Sequence, residues 1–306
     1  MNLYRRADAI PERSSAIALG CFDGLHRGHQ SVVHGAVEGK KAGLFPAVFT
    51  FESHSMKTLH AGTAPEIMTF SDKAAVLSEW GVEGLFLEQF EAIKTLSPET
   101  FVREILHKKY HARQLFCGFN YRFGALTAGS PDDLKRLGTQ YGMEVHVCDA
   151  VTEGDRPISS TWLRELILAG DMERTRVLLG RPFRYDFTVV KGNQIGRLMG
   201  TPTINQLFEG DFILPRFGVY ASSVFQGGIH RHAVTNIGMR PTVRSDVPLS
   251  ETWIPNFSGD LYDQAVRVSL HRFLRPEKKF SSMEELKAAI LADGEQAENI
   301  LRQIER

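Results

Sequence analysis

The feature that most constrains the fold is an alternation of short apolar runs with helix-type segments, which fills the first half of this 306-residue chain. Its predicted helices begin at strong caps, as in Ser97-Pro98 and Ser130-Pro131, where a capping hydroxyl precedes proline at the first helical position. Such alternation predicts an α/β fold with a doubly wound parallel sheet. The predicted strands span residues 16–19, 47–51, 84–87, 113–118 and 143–148.

The alternation stops at Gly180-Arg181-Pro182-Phe183. Beyond this segment, β-rich runs are joined by turns, and Gly227-Gly228 has the composition of a hairpin turn. Consecutive strands joined by turns predict a C-terminal antiparallel β-barrel, followed by a terminal helix that Ser282 caps. We therefore predict two domains, residues 1–183 and 184–306. The predicted barrel strands span residues 185–191, 218–225, 230–236, 251–254 and 266–273.

The composition narrows the classes of partner. Lys plus Arg and Asp plus Glu both number 36, so no basic excess favours a nucleic acid. No uncharged apolar run approaches the about 18 residues that a membrane span needs, and the N-terminus lacks the apolar region of a secretory signal. The three cysteines have no C-x-x-C spacing, which argues against a structural zinc and a disulfide framework. We expect a cytoplasmic protein that binds small anionic ligands.

A glycine-rich turn follows the first predicted strand. Gly20, Gly24 and Gly28 remove the Cβ atoms that would keep a polyphosphate from the backbone, and the helix behind them presents unpaired N–H groups. His26 and His29 are three residues apart and can point the same way. The alternative is an ordinary strand-to-helix turn with two surface histidines, because short motifs also occur by chance.

With Phe22 and Asp23, this turn resembles the G-x-F-D-G-x-H-x-G-H signature of the H-x-G-H nucleotidyltransferases. The full string is most similar to the adenylyltransferase domain of the prokaryotic bifunctional riboflavin kinase/FAD synthetases. The resemblance implies that His26 and His29 are catalytic and contact the α- and β-phosphates of ATP. It also implies that the remaining motif positions line the ATP site, namely Gly20, Phe22, Asp23, Gly24 and Gly28.

Two later segments resemble the same family. Residues 118–124 match G-[FY]-[DN]-x-R-F-G, which implies that Asn120 holds nucleotide, and residues 158–164 match I-S-S-T-x-[IL]-R. The second match implies that a set of hydroxyls and one guanidinium neutralise the triphosphate and help the leaving group: Ser159, Ser160, Thr161 and Arg164. By themselves, the first segment could be a packed aromatic loop and the second an ordinary helix cap. Ser53 and Ser55 replace two prolines that are common in the loop that the family uses for flavin binding. Serine restricts the φ angles of this loop less than proline does.

The C-terminal half has its own glycine-spaced stretch. Gly192, Gly196 and Gly200 precede Pro202-Thr203-Ile204-Asn205, and on a β-scaffold such glycines could simply form bulges and turns. The stretch resembles the G-x-x-x-G-x-x-x-G-x-P-T-x-N signature of riboflavin kinases. This resemblance implies that the three glycines bind the phosphates of ATP, that Thr203 and Asn205 coordinate Mg²⁺ with these phosphates, and that Glu251 is the catalytic base. A glutamate at a strand start is otherwise often a solvated residue.

The prediction is a bifunctional enzyme that phosphorylates riboflavin to FMN in the barrel and adenylylates FMN to FAD in the α/β domain. It needs Mg²⁺ and uses ATP, riboflavin, FMN and FAD as substrates and products, with no nucleic acid or membrane partner. The sequence leaves a homo-oligomer open. Two alternatives remain at this point: a chain that retains only the kinase, and a flavin-binding regulatory protein on an enzyme scaffold.

Overall fold

The computed structural model describes residues 1–51, 64–192, 196, 199–240 and 247–305. The chain divides into two compact units, Met1–Ala64 with Phe70–Ser159, and Pro65–Thr69 with Ser160–Arg306. The predicted domain limits of 183 and 184 remain a prediction. Within the described residues, no helix is both long and apolar enough to cross a membrane.

A six-stranded, wholly parallel sheet forms the first unit, as predicted. Its strand order is β1-β4-β3-β2-β5-β6. Five of these strands were predicted, and the edge strand β1 was not. The apolar strands β2 and β4 are buried throughout, as strands covered on both faces should be. The strands are β1 Asn2–Arg5, β2 Ser15–Leu19, β3 Phe45–Phe51, β4 Gly84–Glu88, β5 Ala112–Gly118 and β6 Glu144–Cys148.

Two helices of this unit begin where the sequence places their caps. Ser97 Oγ accepts a hydrogen bond from the Thr100 amide at 3.1 Å, and Ser130 forms a reciprocal capping box with Asp133. The helices are α1 Arg27–Glu38, α2 Phe70–Glu79, α3 Phe90–Ile93, α4 Pro98–Thr100, which continues into a π-helical stretch Phe101–Lys109, and α5 Pro131–Gln140. Two short strands form a hairpin, β7 Thr152–Glu153 and β8 Arg156–Pro157.

The strand order reverses direction beside β2. From β2 the chain adds β3 and β4 on one side, whereas β5 pairs with the other side of β2 and is followed by β6. In open parallel sheets, ligands bind outside the carboxyl ends of the strands at such a switch point. The residues that follow Leu19 and Gly118 therefore occupy the expected binding position.

The second unit contains a closed antiparallel barrel, which confirms the predicted fold class. Its strand order is β10-β13-β12-β11-β14-β9, and β9 closes the barrel by pairing with β10. The strand β10 was not predicted. The strands are β9 Phe183–Val190, β10 Thr203–Leu207, β11 Gly218–Gln226, β12 Ile229–Arg240, β13 Val247–Trp253 and β14 Ala265–Arg275, and the helices are α6 Ser160–Ala169, α7 Met172–Leu179 and α8 Met283–Ile304.

The barrel interior contains a cluster of hydroxyl groups, and an apolar outer stripe lies under α8. Inside, the hydroxyls of Ser222, Thr235 and Thr252 form a chain with two 2.8 Å hydrogen bonds, and all three residues are fully buried. Outside, α8 covers apolar side chains of β11 and β12. This outer cluster consists of Val219, Ala221, Val234, Ala297, Ile300 and Leu301.

Candidate active sites

The turn after β2 is tightly folded. Phe22 and Leu25 have φ angles of 52° and 44°, and Gly24 has a φ of 81°, so three nearby residues adopt the left-handed region that L-residues seldom use. Phe22 is buried, and a Cβ on Gly20 would lie only 3.0 Å from its Cζ atom. Gly20 therefore allows the Phe22 ring to anchor the turn beneath the backbone.

Two imidazoles meet at the start of α1. His26 is the N-cap residue, and its Nδ1 accepts a hydrogen bond from the His29 amide at 3.2 Å. The two rings stack with centroids 3.7 Å apart and planes 15° apart. A Cβ on Gly28 would lie 3.1 Å from the His26 ring, so glycine makes room for it. Because Nδ1 of His26 accepts, the neutral ring carries its proton on Nε2.

Two cationic or polar groups support the turn from neighbouring elements. Thr50 Oγ1 and Lys73 Nζ both donate to the Cys21 carbonyl, at 3.0 and 3.2 Å. Lys73 lies on α2, more than forty residues after the turn, and sequence reasoning missed it because no local motif marks it. The lysine adds positive charge beside a turn that is predicted to hold phosphates.

Asn120 follows β5, the strand adjacent to β2 at the switch point. Its side chain is exposed, and its Oδ1 lies 3.4 Å from the place that a Gly118 Cβ would occupy. Desolvation, reinforced by the nearby Cys21 thiol, raises the pKa of the Tyr121 phenol, which keeps this neighbour of Asn120 neutral. The sheet topology thus brings the histidine turn and the Asn120 loop to the ends of adjacent strands.

The segment before α6 approaches the first site at one point. The Ile158 carbonyl oxygen lies 3.8 Å from the position of a Gly28 Cβ, and Ser159 follows it. Ser160 and Thr161 begin α6, and Arg164 on the same helix donates from Nε to the Pro65 carbonyl at 2.8 Å. The roles assigned to these side chains toward the triphosphate remain predictions.

A row of polar side chains crosses the outer face of the barrel. Asn205 on β10 lies directly opposite Glu251 on β13, and Glu251 lies opposite Asn236 on β12. Thr203 precedes Asn205 by two residues on the same strand and therefore shares its face. Directly opposed residues in antiparallel strands have Cβ atoms about 4.5–5.5 Å apart, so the two amides flank the carboxylate. Asn236 was assigned no role in the sequence analysis.

The three glycines of this site serve three different purposes. A Cβ on Gly192 would lie 2.4 Å from Asn205 Nδ2, and a Cβ on Gly196 would lie 2.4 Å from the Thr201 carbonyl oxygen. Gly200 has a φ of 77°, which favours glycine. Gly192 therefore permits close approach of the backbone to Asn205 on β10, Gly196 permits close approach to the Thr201 carbonyl, and Gly200 makes the turn.

The donor set around Asn205 fits a hard cation. Its Oδ1 is buried, and the described residues provide it with no hydrogen-bond partner; an orphaned buried oxygen of this kind calls for a ligand. Amide and hydroxyl oxygens are ligands that Mg²⁺ accepts. The Thr201 hydroxyl is similarly buried and lacks a partner within the described part of the chain, and the sequence gave no sign of this.

Two predicted segments cannot be compared with this geometry. Ser53 and Ser55 lie outside the described residues, as do residues 193–195 and 197–198 of the glycine-spaced stretch.

Comparisons with known proteins identify both halves. The family model described as FAD synthetase matches residues 9–162, and the model described as riboflavin kinase matches residues 179–301. A bifunctional riboflavin kinase/FMN adenylyltransferase from Pseudomonas fluorescens is 35% identical over 287 residues, which covers 92% of each chain. The chain belongs to the bifunctional riboflavin kinase/FMN adenylyltransferase family. A protein of the same description from Listeria monocytogenes is 32% identical, and the match covers 94% of this chain and 92% of that protein. One from Escherichia coli is also 32% identical, and the match covers 92% of this chain and 91% of that protein.

A solved structure is also similar along the whole chain. It is the crystal structure of a macrolide-efflux protein from Streptococcus pneumoniae, with a TM-score of 0.87, 28% identity, and coverage of 97% of this chain and 99% of that one. The efflux description belongs to the pneumococcal protein. For this riboflavin kinase/FMN adenylyltransferase family member, the two matched models contain the two candidate sites described above, one in each, except for Arg164, which follows the last residue of the first match.

Proposed function

We propose that this chain makes FAD from riboflavin in two steps, each in its own domain. Residues 184–306 transfer the γ-phosphoryl group of ATP to riboflavin, and residues 1–183 transfer the adenylyl group of a second ATP to the resulting FMN. The observation that supports this most directly is the strand register that sets Glu251 opposite Asn205, while a separate imidazole pair occupies the start of α1. Each site has the groups that its own reaction requires.

Adenylyl transfer begins when a phosphate oxygen of FMN attacks the α-phosphorus of ATP. The bond from that phosphorus to the bridging oxygen breaks, and pyrophosphate leaves with both bonding electrons. Positioning and charge stabilisation dominate such reactions. His26 and His29 donate to the α- and β-phosphates from the positive end of α1, and Gly20, Gly24 and Gly28 let the triphosphate approach the backbone. Asn120, the Ser159–Thr161 hydroxyls and Arg164 complete the proposed contacts.

Phosphoryl transfer in the barrel requires removal of a proton from the ribityl 5′-hydroxyl. Glu251 accepts this proton while the hydroxyl oxygen attacks the γ-phosphorus and ADP leaves. Thr203 and Asn205 would hold Mg²⁺, which when bound neutralises charge on the ATP phosphates. The exposed position of Glu251 suits a base that must reach a substrate, and the buried Asn205 amide is held in place by the Gly192 backbone.

The proposed setting is the cytoplasm, with small molecules as the partners. Cys21, Cys117 and Cys148 are all in the described part of the chain and form no disulfide, as expected of a reducing compartment.

Chromatography of riboflavin incubated with ATP and Mg²⁺ tests the proposal. We expect FMN to appear first and FAD to accumulate after it. A product mixture that stops at FMN would mean that only the kinase is retained, and riboflavin that stays unchanged would favour a flavin-binding regulatory protein. Omission of Mg²⁺, with a chelator present, should abolish FMN formation if Thr203 and Asn205 hold the ion.

A further inference from the structure

A cavity of about 320 Å³ lies at the amino ends of β2 and β5, which is the sheet edge opposite the histidine turn. Ser14 and Ala112 form part of its lining at the starts of these two strands. Glu12, Arg13 and Arg113 are the charged side chains around it, and His107 and His111 add two imidazoles. Two arginines and two histidines therefore face one carboxylate, a balance that favours an anion.

The two guanidinium groups of this cavity are not neutralised by the protein. Within the described part of the chain, neither Arg13 nor Arg113 has a side-chain hydrogen bond or ion pair, and Arg13 only lies over the Phe45 ring, 5.2 Å from its centroid. Three other arginines in the same unit are matched by carboxylates: Arg27 by Glu153, Arg103 by Glu104 and Arg136 by Asp133. The cavity therefore carries a local excess of positive charge.

The two histidines of the cavity are held in fixed positions. The His107 ring stacks on Tyr141 with centroids 5.4 Å apart. His111 has a φ of 50°, an uncommon conformation for a residue other than glycine, and its carbonyl accepts a hydrogen bond from the Ser15 amide at 3.0 Å. Strain of this kind is concentrated at functional sites, and here it places an imidazole between the π-helical stretch and β5.

We infer that this cavity binds a phosphate-type anion, separately from either ATP site. Guanidinium groups present pairs of N–H donors that match phosphate oxygens, and imidazole N–H groups add further donors. A volume of about 320 Å³ accommodates inorganic phosphate or pyrophosphate. Glu12 opposes the anion electrostatically, so the site is expected to be of moderate affinity and to tighten when that charge is removed.

The ring signals of His107 and His111 in ¹H–¹³C NMR spectra of the full chain test this inference, because they report on the cavity, whereas the signals of His26 and His29 report on the first ATP site. His107→Gln and His111→Gln assign the two signals among the 11 histidines. Titration with inorganic phosphate and, separately, with pyrophosphate should shift both signals along one saturable curve. The ion with the lower dissociation constant identifies the better ligand.

Variants decide whether the shifts arise from the proposed contacts. Arg13→Gln/Arg113→Gln should weaken binding by about tenfold or more, and Glu12→Gln should tighten it several-fold. Lys94→Gln/Arg136→Gln removes the same charge from two exposed ion pairs in this unit and should leave the curve unchanged. The inference would be overturned if the shifts of both signals stayed linear with the concentration of either ion. It would also be overturned if the saturable shifts persisted in Arg13→Gln/Arg113→Gln while the other histidine signals showed a folded protein.

Discussion

The two ATP sites proposed for this chain use glycine for different ends. In the turn after β2, the absence of a Cβ atom at Gly20 and Gly28 leaves room for the rings of Phe22 and His26. In the barrel, Gly192 and Gly196 yield space to the Asn205 amide and the Thr201 carbonyl. One site thus packs aromatic rings against a strand-to-helix turn, and the other packs a loop backbone against a strand.

This difference follows from what each fold supplies. A helix that begins at the carboxyl edge of a parallel sheet provides N–H groups and a partial positive charge, to which His26 and His29 add neutral or cationic donors. The outer face of a barrel supplies no such field. There, a cation held by the oxygen atoms of Thr203 and Asn205 is expected to supply the positive charge.

The sharpest way to separate the two sites is Glu251→Gln. Loss of a general base costs about 10²–10⁴-fold, so FMN formation from riboflavin should fall by that amount. Adenylylation of supplied FMN should keep its rate, because Glu251 belongs to the barrel. Both rates can be measured by chromatography on one preparation, and an equal loss in both would point to misfolding instead of a missing base.

His29→Ala is the reciprocal change. It removes a donor to the phosphates from the start of α1, and loss of one preorganised donor costs about 10²–10³-fold. FAD formation from FMN and ATP should fall accordingly, with FMN formation from riboflavin unchanged. Near wild-type FAD formation would show that the stacked imidazoles do not take part in the reaction.

Gly192→Ala probes the close approach in the barrel. The added methyl would lie 2.4 Å from Asn205 Nδ2, so the amide must move, and kinase activity should fall about tenfold with a higher Mg²⁺ requirement. Gly210→Ala is the control, because that glycine has a φ of 68° and nothing within 4 Å of its Cβ position. It should cost about 1 kcal/mol of stability without changing the Mg²⁺ dependence.

The smallest expected effect concerns the attachment of α8 to the barrel. His232 on β12 is bonded through Nδ1 to Glu298 at 2.6 Å and through Nε2 to Glu305 at 2.9 Å. Although desolvation alone would lower the pKa of His232, these two carboxylates raise it above the ordinary value of about 6.5. The stabilisation is therefore fully present below about pH 6.5 and is lost as pH rises through the raised pKa.

His232→Gln should lower the free energy of unfolding by about 1–2 kcal/mol at pH 6 and by less at high pH. Urea unfolding followed by Trp253 fluorescence in a Trp80→Phe/Trp162→Phe background measures it, because Trp253 packs against α8 at Gly294. His34→Gln, at an exposed histidine 3.8 Å from Glu38, is the control. A difference in unfolding free energy that does not depend on pH would contradict a contribution from the charged His232 ring. Desolvation lowers the pKa of His271 to about 4. This second histidine therefore disfavours the folded state below pH 6.5, which opposes the stabilisation that His232 provides there.

Much of the fold could be predicted because its local signals agree with its tertiary structure. Apolar runs marked the strands of the sheet, and Ser97, Ser130 and Ser282 each cap a helix as expected. Two strands were missed for physical reasons. β1 is a short polar edge strand. β10 contains Thr203 and Asn205, and such polar residues are typical of a loop unless the barrel that contains them is already known.

The sites were predictable only as far as motifs extend. Glycine spacing and histidine spacing indicated both phosphate-binding stretches, yet the contact of Lys73 with the Cys21 carbonyl and the alignment of Asn236 with Glu251 depend on strand order and register. Such pairings join residues far apart in the chain, and a single sequence contains no local signal for them. The ion pairs of His232 with α8 were unforeseen for the same reason.

The buried hydroxyl chain of the barrel has a consequence for Glu251, the proposed catalytic base. Side chains alternate along β13, so Thr252 points inward and Glu251 outward. If β13 slipped by one residue, Glu251 would enter a closed interior, and the bond between Thr252 and Thr235 would break. The hydrogen bonds among Ser222, Thr235 and Thr252 thus fix the register of β13, which keeps the proposed base on the solvent side of the strand.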